Sequence, residues 1–138
     1  MAKLELKIVT PERQVLSLEV DEVVLPSHEG YLGVLPGHAP LLCQLDIGEI
    51  SYRVGNERHY LAASGGFAEV LREGVTVLAT NCEPAEEIDL ERARRAQKKA
   101  EEQLSAEIGS YEFRRAEVHL KRAIARIHVH GQARGMMS

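Results

Sequence analysis

The stretch Glu29-Gly30-Tyr31-Leu32-Gly33-Val34-Leu35-Pro36-Gly37-His38-Ala39-Pro40-Leu41-Leu42 breaks regular structure and is nevertheless apolar. Its three glycines tolerate positive φ or close backbone approach and its two prolines fix φ, so helix is excluded and the chain has to turn repeatedly. Between these breakers lie Leu32, Val34, Leu35, Ala39, Leu41 and Leu42. A segment that apolar packs against its own core or against a partner, which makes it the junction of the fold.

On either side of this junction the chain reads as strands. Leu4, Leu6 and Ile8 alternate with Lys3, Glu5 and Lys7; Ile50, Tyr52 and Val54 alternate with Ser51 and Arg53; Val75 and Val77 flank Thr76. Gly55-Asn56 and Glu73-Gly74 mark hairpin turns between such runs. Short strands at regular spacing with no helical pattern between them argue for an antiparallel sandwich or flattened barrel over residues 1–84.

At Pro84 the period changes. Asp89 is a good N-cap, and Ala93, Ala96, Ala100 and Leu104 follow on one stripe at spacings of three and four. Gly109 can close that helix and Ser110 can cap a second, in which Phe113, Ala116, Leu120, Ala123 and Ile127 form the seam. Two helices joined by so short a link make an antiparallel hairpin over 85–138, with a disordered tail expected from about Gly131. The overall expectation is an α+β chain. An alanine seam buries little area per residue, so the hairpin should be only marginally docked.

A turn of 100° per residue places Arg92 and Lys99 on one shoulder of the first helix and Arg115, His119, Arg122 and Arg126 on the matching shoulder of the second. Because the helices run oppositely, Arg92 is expected beside Arg122 and Arg126, near Asp89. Such a cluster repels itself and is satisfied by a phosphate or by a carboxylate-bearing helix. The blander reading is a solvated basic face with local ion pairs.

The motif E-G-x-L-G-V-L-P-G-H-A-P-L-L, with Ser64-Gly65-Gly66 and Ile88-Asp89-Leu90-Glu91-Arg92-Ala93 in order after it, resembles the epsilon subunit of bacterial F-type ATP synthases from Leu4 to about Ile127. The resemblance implies a ten-stranded sandwich carrying a mobile regulatory hairpin, in a noncatalytic rotor-stalk subunit on the cytoplasmic face of the cell membrane. The implied partners are the shaft (gamma) subunit, the rotor ring of c subunits and the catalytic hexamer of alpha and beta subunits. Tyr31, Leu32, Gly33 and His38 would meet the ring or shaft, while Arg114, Arg115 and Lys121, with Arg122 and Arg126, would face an acidic segment of the hexamer. ATP is the implied regulatory ligand, held by Glu83, Ile88, Asp89, Arg92, Ala93, Lys99, Arg122 and Arg126. Lys99 stands where strong binders carry arginine, keeping the charge and losing the planar fork. Mg²⁺ could accompany the nucleotide, although no carboxylate pair is evidently poised for it.

Other classes fit less well. The first 84 residues hold 6 Lys/Arg against 12 Asp/Glu and the remainder 11 against 9, and only 4% of residues are aromatic, so nucleic-acid binding is not expected. No run is apolar enough for a signal peptide or membrane span. Cys43 and Cys82 stand apart and are read as reduced thiols. The alternative is a cupin-like ligand-binding or enzymatic sandwich with a helical dimerisation arm. Its chemistry needs clustered histidines with a glutamate, and His28, Glu29 and His38 lack the spacing.

Overall fold

The computed structural model describes residues 2–106 and 111–137. Seven strands, β1 (Leu4–Val9), β2 (Gln14–Val20), β3 (Glu22–Ser27), β4 (Gly30–Val34), β5 (Leu41–Val54), β6 (Glu57–Val70) and β7 (Gly74–Pro84), form one sheet in the order β2-β1-β7-β6-β5-β3-β4. The sheet folds over on itself as a β-sandwich. Leu18 and Val20 near one edge and Val23, Leu25 and Val34 near the other share a single core with Leu4, Leu6, Ile8, Ile50, Leu61, Val70, Val75 and Val77. Among the described residues every pairing is antiparallel except β1 with β7, which is parallel. The long path between those two strands permits that pairing, where a tight turn would not.

The ten strands implied by the family become seven because three are long. β5 and β6 run 14 residues and β7 runs 11. All three change phase at one level: β6 turns Leu61 and Ala63 inward before the change and Ala68 and Val70 after it, while β7 turns Val75, Val77 and Ala79 inward and then Cys82. The ladder skips Asp46, Gly65 and Thr80 at this level. Gly65 and Gly66 supply it with φ of +70° and +115°, which side chains rarely adopt.

The opening stretch is more regular than its composition suggests. Gly30–Val34 is a strand paired with β3, and Val34 is fully buried. The backbone that requires glycine is at Gly30 (φ +122°) and Gly37 (φ +86°). Gly33, the remaining glycine of the stretch, has no positive φ and no heavy atom within 4 Å of where a Cβ would stand. The Gly55-Asn56 turn forms as expected, and its Gly55 N–H donates to Asp21 at 2.7 Å. Asp21 also pairs with Lys3 at 2.7 Å, and these two bonds hold its carboxyl below the usual range at the corner between β2 and β3. The second turn uses Leu71–Glu73, with Gly74 already in strand.

Helices α1 (Leu90–Ala106) and α2 (Tyr111–Met137) follow a 3₁₀ turn at Ala85–Glu87. The Asp89 carboxylate accepts the Arg92 N–H at 3.1 Å, so the expected cap forms. Ala93 and Ala100 of α1 and Ala116 and Ala123 of α2 are buried, as the seam requires. The link through Gly109 and Ser110 lies outside the described residues. The expected end of order near Gly131 is corrected: α2 continues to Met137. Val129 and Ala133, one turn apart, pack on Tyr60, Ala62, Ala85 and Ile88, a second apolar cluster that carries the helix past its glycine.

Cys43 and Cys82 are both free. Burial pushes the Cys82 thiol up to about 12 and the Cys43 thiol upward by less. Cys82 should therefore resist a thiol reagent at pH 8 until denaturant exposes it. Rapid labelling of Cys82 in the folded protein would contradict this packing.

Candidate functional site

Where α2 crosses the sandwich, residues directly opposite one another share a face. Ile47, Ser64 and Asn81 form one row across β5, β6 and β7, and Glu49, Ala62 and Glu83 form the next. α2 lies over both rows. Arg122 Nε donates to Ser64 Oγ at 2.6 Å, Arg126 Nε lies 3.2 Å from Glu83 Oε1, and His128 Nε2 lies 3.4 Å from Glu49 Oε1. The two carboxylate oxygens are buried and receive no hydrogen bond of good geometry, so their attraction to α2 is chiefly coulombic. Docking therefore combines a small apolar cluster with polar clamps that the sequence alone did not indicate.

Beside these clamps, between α1, α2 and the edge of β7, opens a cavity of about 470 Å³. Lys99 of α1 and Arg115, His119, Arg122 and Arg126 of α2 line it, with Glu112, Gln103 and Asn81. This is the convergence of cations expected from helix rotation, and its volume lies within the range of small-molecule sites. The structure divides the remaining predicted residues into separate groups. Arg92 is exposed and outside the cavity lining, its N–H bound to the cap. Ile88 and Ala93 are buried and structural, Asp89 is the cap, and Glu83 holds Arg126.

The basic residues assigned to the hexamer do not share one face in this compact form. Arg115 lines the cavity, whereas Lys121 lines a second cleft of about 290 Å³ with Tyr31, Ile47, Glu49, Ile124 and His128, and Arg114 is exposed. Of the ring-facing set, Tyr31 is exposed, Leu32 is half-buried in β4, and His38 Nδ1 lies 2.7 Å from the Ala39 carbonyl oxygen. His28 is drawn to Asp46, at 3.5 Å, rather than to His38. No group of His, Cys, Asp and Glu suited to a metal occurs among the described residues.

Sequence reasoning missed a further surface. Leu42, Phe67 and Leu78 stand on the outer faces of β5, β6 and β7 and are 70%, 52% and 57% exposed. Phe67 and Leu78 are direct cross-strand partners, and Leu35 and Leu41 are exposed at the same end of the sheet. The phase change at Gly65 puts these apolar residues outside. The unbroken alternation assumed from sequence hides it.

Fold and site together define a two-part chain, a sandwich with a docked helical hairpin and a cationic seam. The comparisons with known proteins agree: residues 3–85 match the ATP synthase, Delta/Epsilon chain, beta-sandwich domain, and residues 86–131 match the ATP synthase, Delta/Epsilon chain, long alpha-helix domain. An ATP synthase epsilon chain from Syntrophobacter fumaroxidans is 49% identical over 92% of this chain and 95% of its own length. One from Nitratidesulfovibrio vulgaris is 47% identical over 94% and 97%. The chain therefore belongs to the ATP synthase epsilon chain family. Among solved structures, a chain of the Euglena gracilis mitochondrial ATP synthase OSCP/F1/c-ring assembly matches with a TM-score of 0.80 and 25% identity, over 96% of this chain and 82% of that one. A chain of the Tetrahymena thermophila central stalk and c-ring structure, at 17% identity and a TM-score of 0.56, shows the same fold.

Proposed function

We propose that this chain is a noncatalytic rotor-stalk subunit of an F-type ATP synthase, peripheral on the cytoplasmic face of the membrane, whose hairpin restrains ATP hydrolysis when released and is held compact by ATP. Family membership supports the stalk assignment. The single observation that carries the regulatory reading is the cavity ringed by Lys99, Arg115, His119, Arg122 and Arg126, which exists only while α1 and α2 pack side by side on the sandwich. Polyphosphate there neutralises cations that otherwise repel one another. A ligand with higher affinity for the compact form shifts the population toward it. Glu112 is the one carboxylate lining the cavity among the described residues, so a Mg²⁺ ion would rely mainly on the phosphates and water.

Calorimetry on the whole chain tests this reading. Arg122→Ala and Arg126→Ala each remove charge-assisted hydrogen bonds and should weaken ATP binding by about tenfold to a hundredfold. Arg92→Ala, outside the cavity, should weaken it less. Saturable binding that survives in both the Arg122 and Arg126 variants would move the ligand elsewhere.

The exposed Leu42, Phe67 and Leu78 face, with Leu35 and Leu41, is the surface we assign to the shaft subunit, and the Tyr31–His38 segment to the c ring. Gly33→Val tests the second assignment, because a Cβ added at this position meets no heavy atom within 4 Å. The variant should fold with near-normal stability and assemble poorly. Normal assembly would make the segment purely structural.

A further inference from the structure

We propose that Ser64 is a positioning residue for the cavity ligand: through its hydroxyl the sandwich aims Arg122, and through the same bond ligand binding is felt as docking of the hairpin. The inference rests on the ATP reading above, and Ser64 itself is not among the residues that line the cavity.

Ser64 is the last residue of β6 before the phase change at Gly65. Ala63 is turned into the core, so Ser64 faces the other way, beneath α2, and is only 7% exposed. Its short side chain lets the helix come close, and Arg122 Nε donates to its Oγ at 2.6 Å. A narrow gap between α2 and the sandwich is lined by Ser64, Glu83, Arg122 and Arg126, and the two arginines also line the cationic cavity. Each arginine therefore lies between the sandwich and the ligand space, with its Nε engaged on the sandwich side.

A guanidinium is planar and carries five N–H groups, one on Nε and four on the two Nη atoms. A bond at Nε leaves all four Nη donors for another acceptor and, because the group is rigid, restricts the directions in which they point. The two anchors differ in charge. The Glu83 carboxylate offsets part of the attraction of Arg126 for an anion, whereas the Ser64 hydroxyl orders Arg122 without cancelling its charge. Arg122 is thus the better prepared of the two for phosphate. Without the bond to Ser64, its long side chain has to be immobilised when the ligand binds, which weakens affinity by about three- to tenfold.

The same contact gives the cavity its hold on the sandwich. Ligand in a space between α1 and α2 affects docking only through groups that touch both the ligand and the strands, and Arg122 is such a group. When the hairpin is released, Arg122 loses Ser64. Coupling between two equilibria is reciprocal, so a ligand that binds more tightly with Ser64 in place favours the docked form by the same factor.

Calorimetry with ATP, paired with the distance distribution between spin labels at the exposed positions Glu69 and Glu117, tests this in the whole chain carrying Cys43→Ser and Cys82→Ala. When only the docked form binds, the apparent dissociation constant is the intrinsic one divided by the docked fraction. Val129→Ala trims the apolar cluster and leaves Arg122 in place, so it should raise the apparent constant only as far as its nucleotide-free docked fraction falls. Ser64→Ala should raise it about three- to tenfold more than its docked fraction accounts for. In an Arg122→Ala background, Ser64→Ala should add nothing beyond the change in docked fraction. A Ser64→Ala chain that follows the Val129→Ala relation, or a Ser64 effect that persists without Arg122, overturns the positioning role and leaves the ATP reading standing. No saturable ATP binding by the parent chain overturns the ATP reading, and the positioning role with it.

Discussion

Gly66→Ala is expected to destabilise the sandwich by about 3 kcal/mol or more, the largest single effect in the chain outside the strand cores. A Cβ at this position would stand 2.1 Å from the Leu78 carbonyl oxygen and 2.8 Å from Ala79 Cα, both backbone atoms of the neighbouring strand. They cannot swing aside as the end of a side chain can. The residue also holds φ at +115°, so strain is added to collision. For a domain of this size the melting temperature should fall by roughly 10 °C. A melt within about 2 °C of wild type would mean that the phase change of β5, β6 and β7 tolerates a side chain, contrary to the geometry described above.

Deleting residues 85–138 should leave a folded sandwich and release ATP hydrolysis in the assembled complex. Among the described residues, the core formed by Leu4, Leu6, Ile8, Val20, Leu25, Ile50, Leu61 and Val77 draws none from the helices. What the hairpin adds is the separate cluster of Ala62, Ala85, Ile88 and Val129 and the clamps at Ser64, Glu83 and Glu49. If the released hairpin holds nine complexes in ten inactive, its removal raises hydrolysis roughly tenfold. If the basic residues on α2 inhibit through screened charge, as proposed, inhibition in the intact complex should also fade as salt rises. Unchanged hydrolysis in an assembled, truncated complex would leave the hairpin without a regulatory role.

The parts of this architecture that were legible in the sequence are those set by local periodicity. Alternation placed Leu4, Leu6 and Ile8 in one core, the alanine stripes placed the helix seam, and Asp89 announced the cap it forms. The helical rotation also brought Lys99, Arg115, His119, Arg122 and Arg126 to one cavity. It erred at Arg92, where rotation gives a face but not whether a first-turn residue reaches the seam. What stayed hidden depends on pairings distant in sequence. The skipped level at Asp46, Gly65 and Thr80 needs three strands in register to be seen, and it decides that Phe67 and Leu78 face outward. Ser64, Glu49 and His128 are unremarkable until α2 is laid across β5 and β6. The continuation of α2 past Gly131 likewise follows from Val129 and Ala133 meeting the sandwich, which no local rule reveals.

The most direct test of the central claim, that nucleotide holds this hairpin compact, is the Glu69–Glu117 label distance in the otherwise wild-type chain lacking only its two thiols, with and without ATP at cellular concentration. The account predicts a single short distance with ATP and a longer population without it, lost from the ATP-responsive pool in Arg122→Ala and Arg126→Ala. An identical distribution in both conditions, in protein that calorimetry shows to be loaded with ATP, would contradict it.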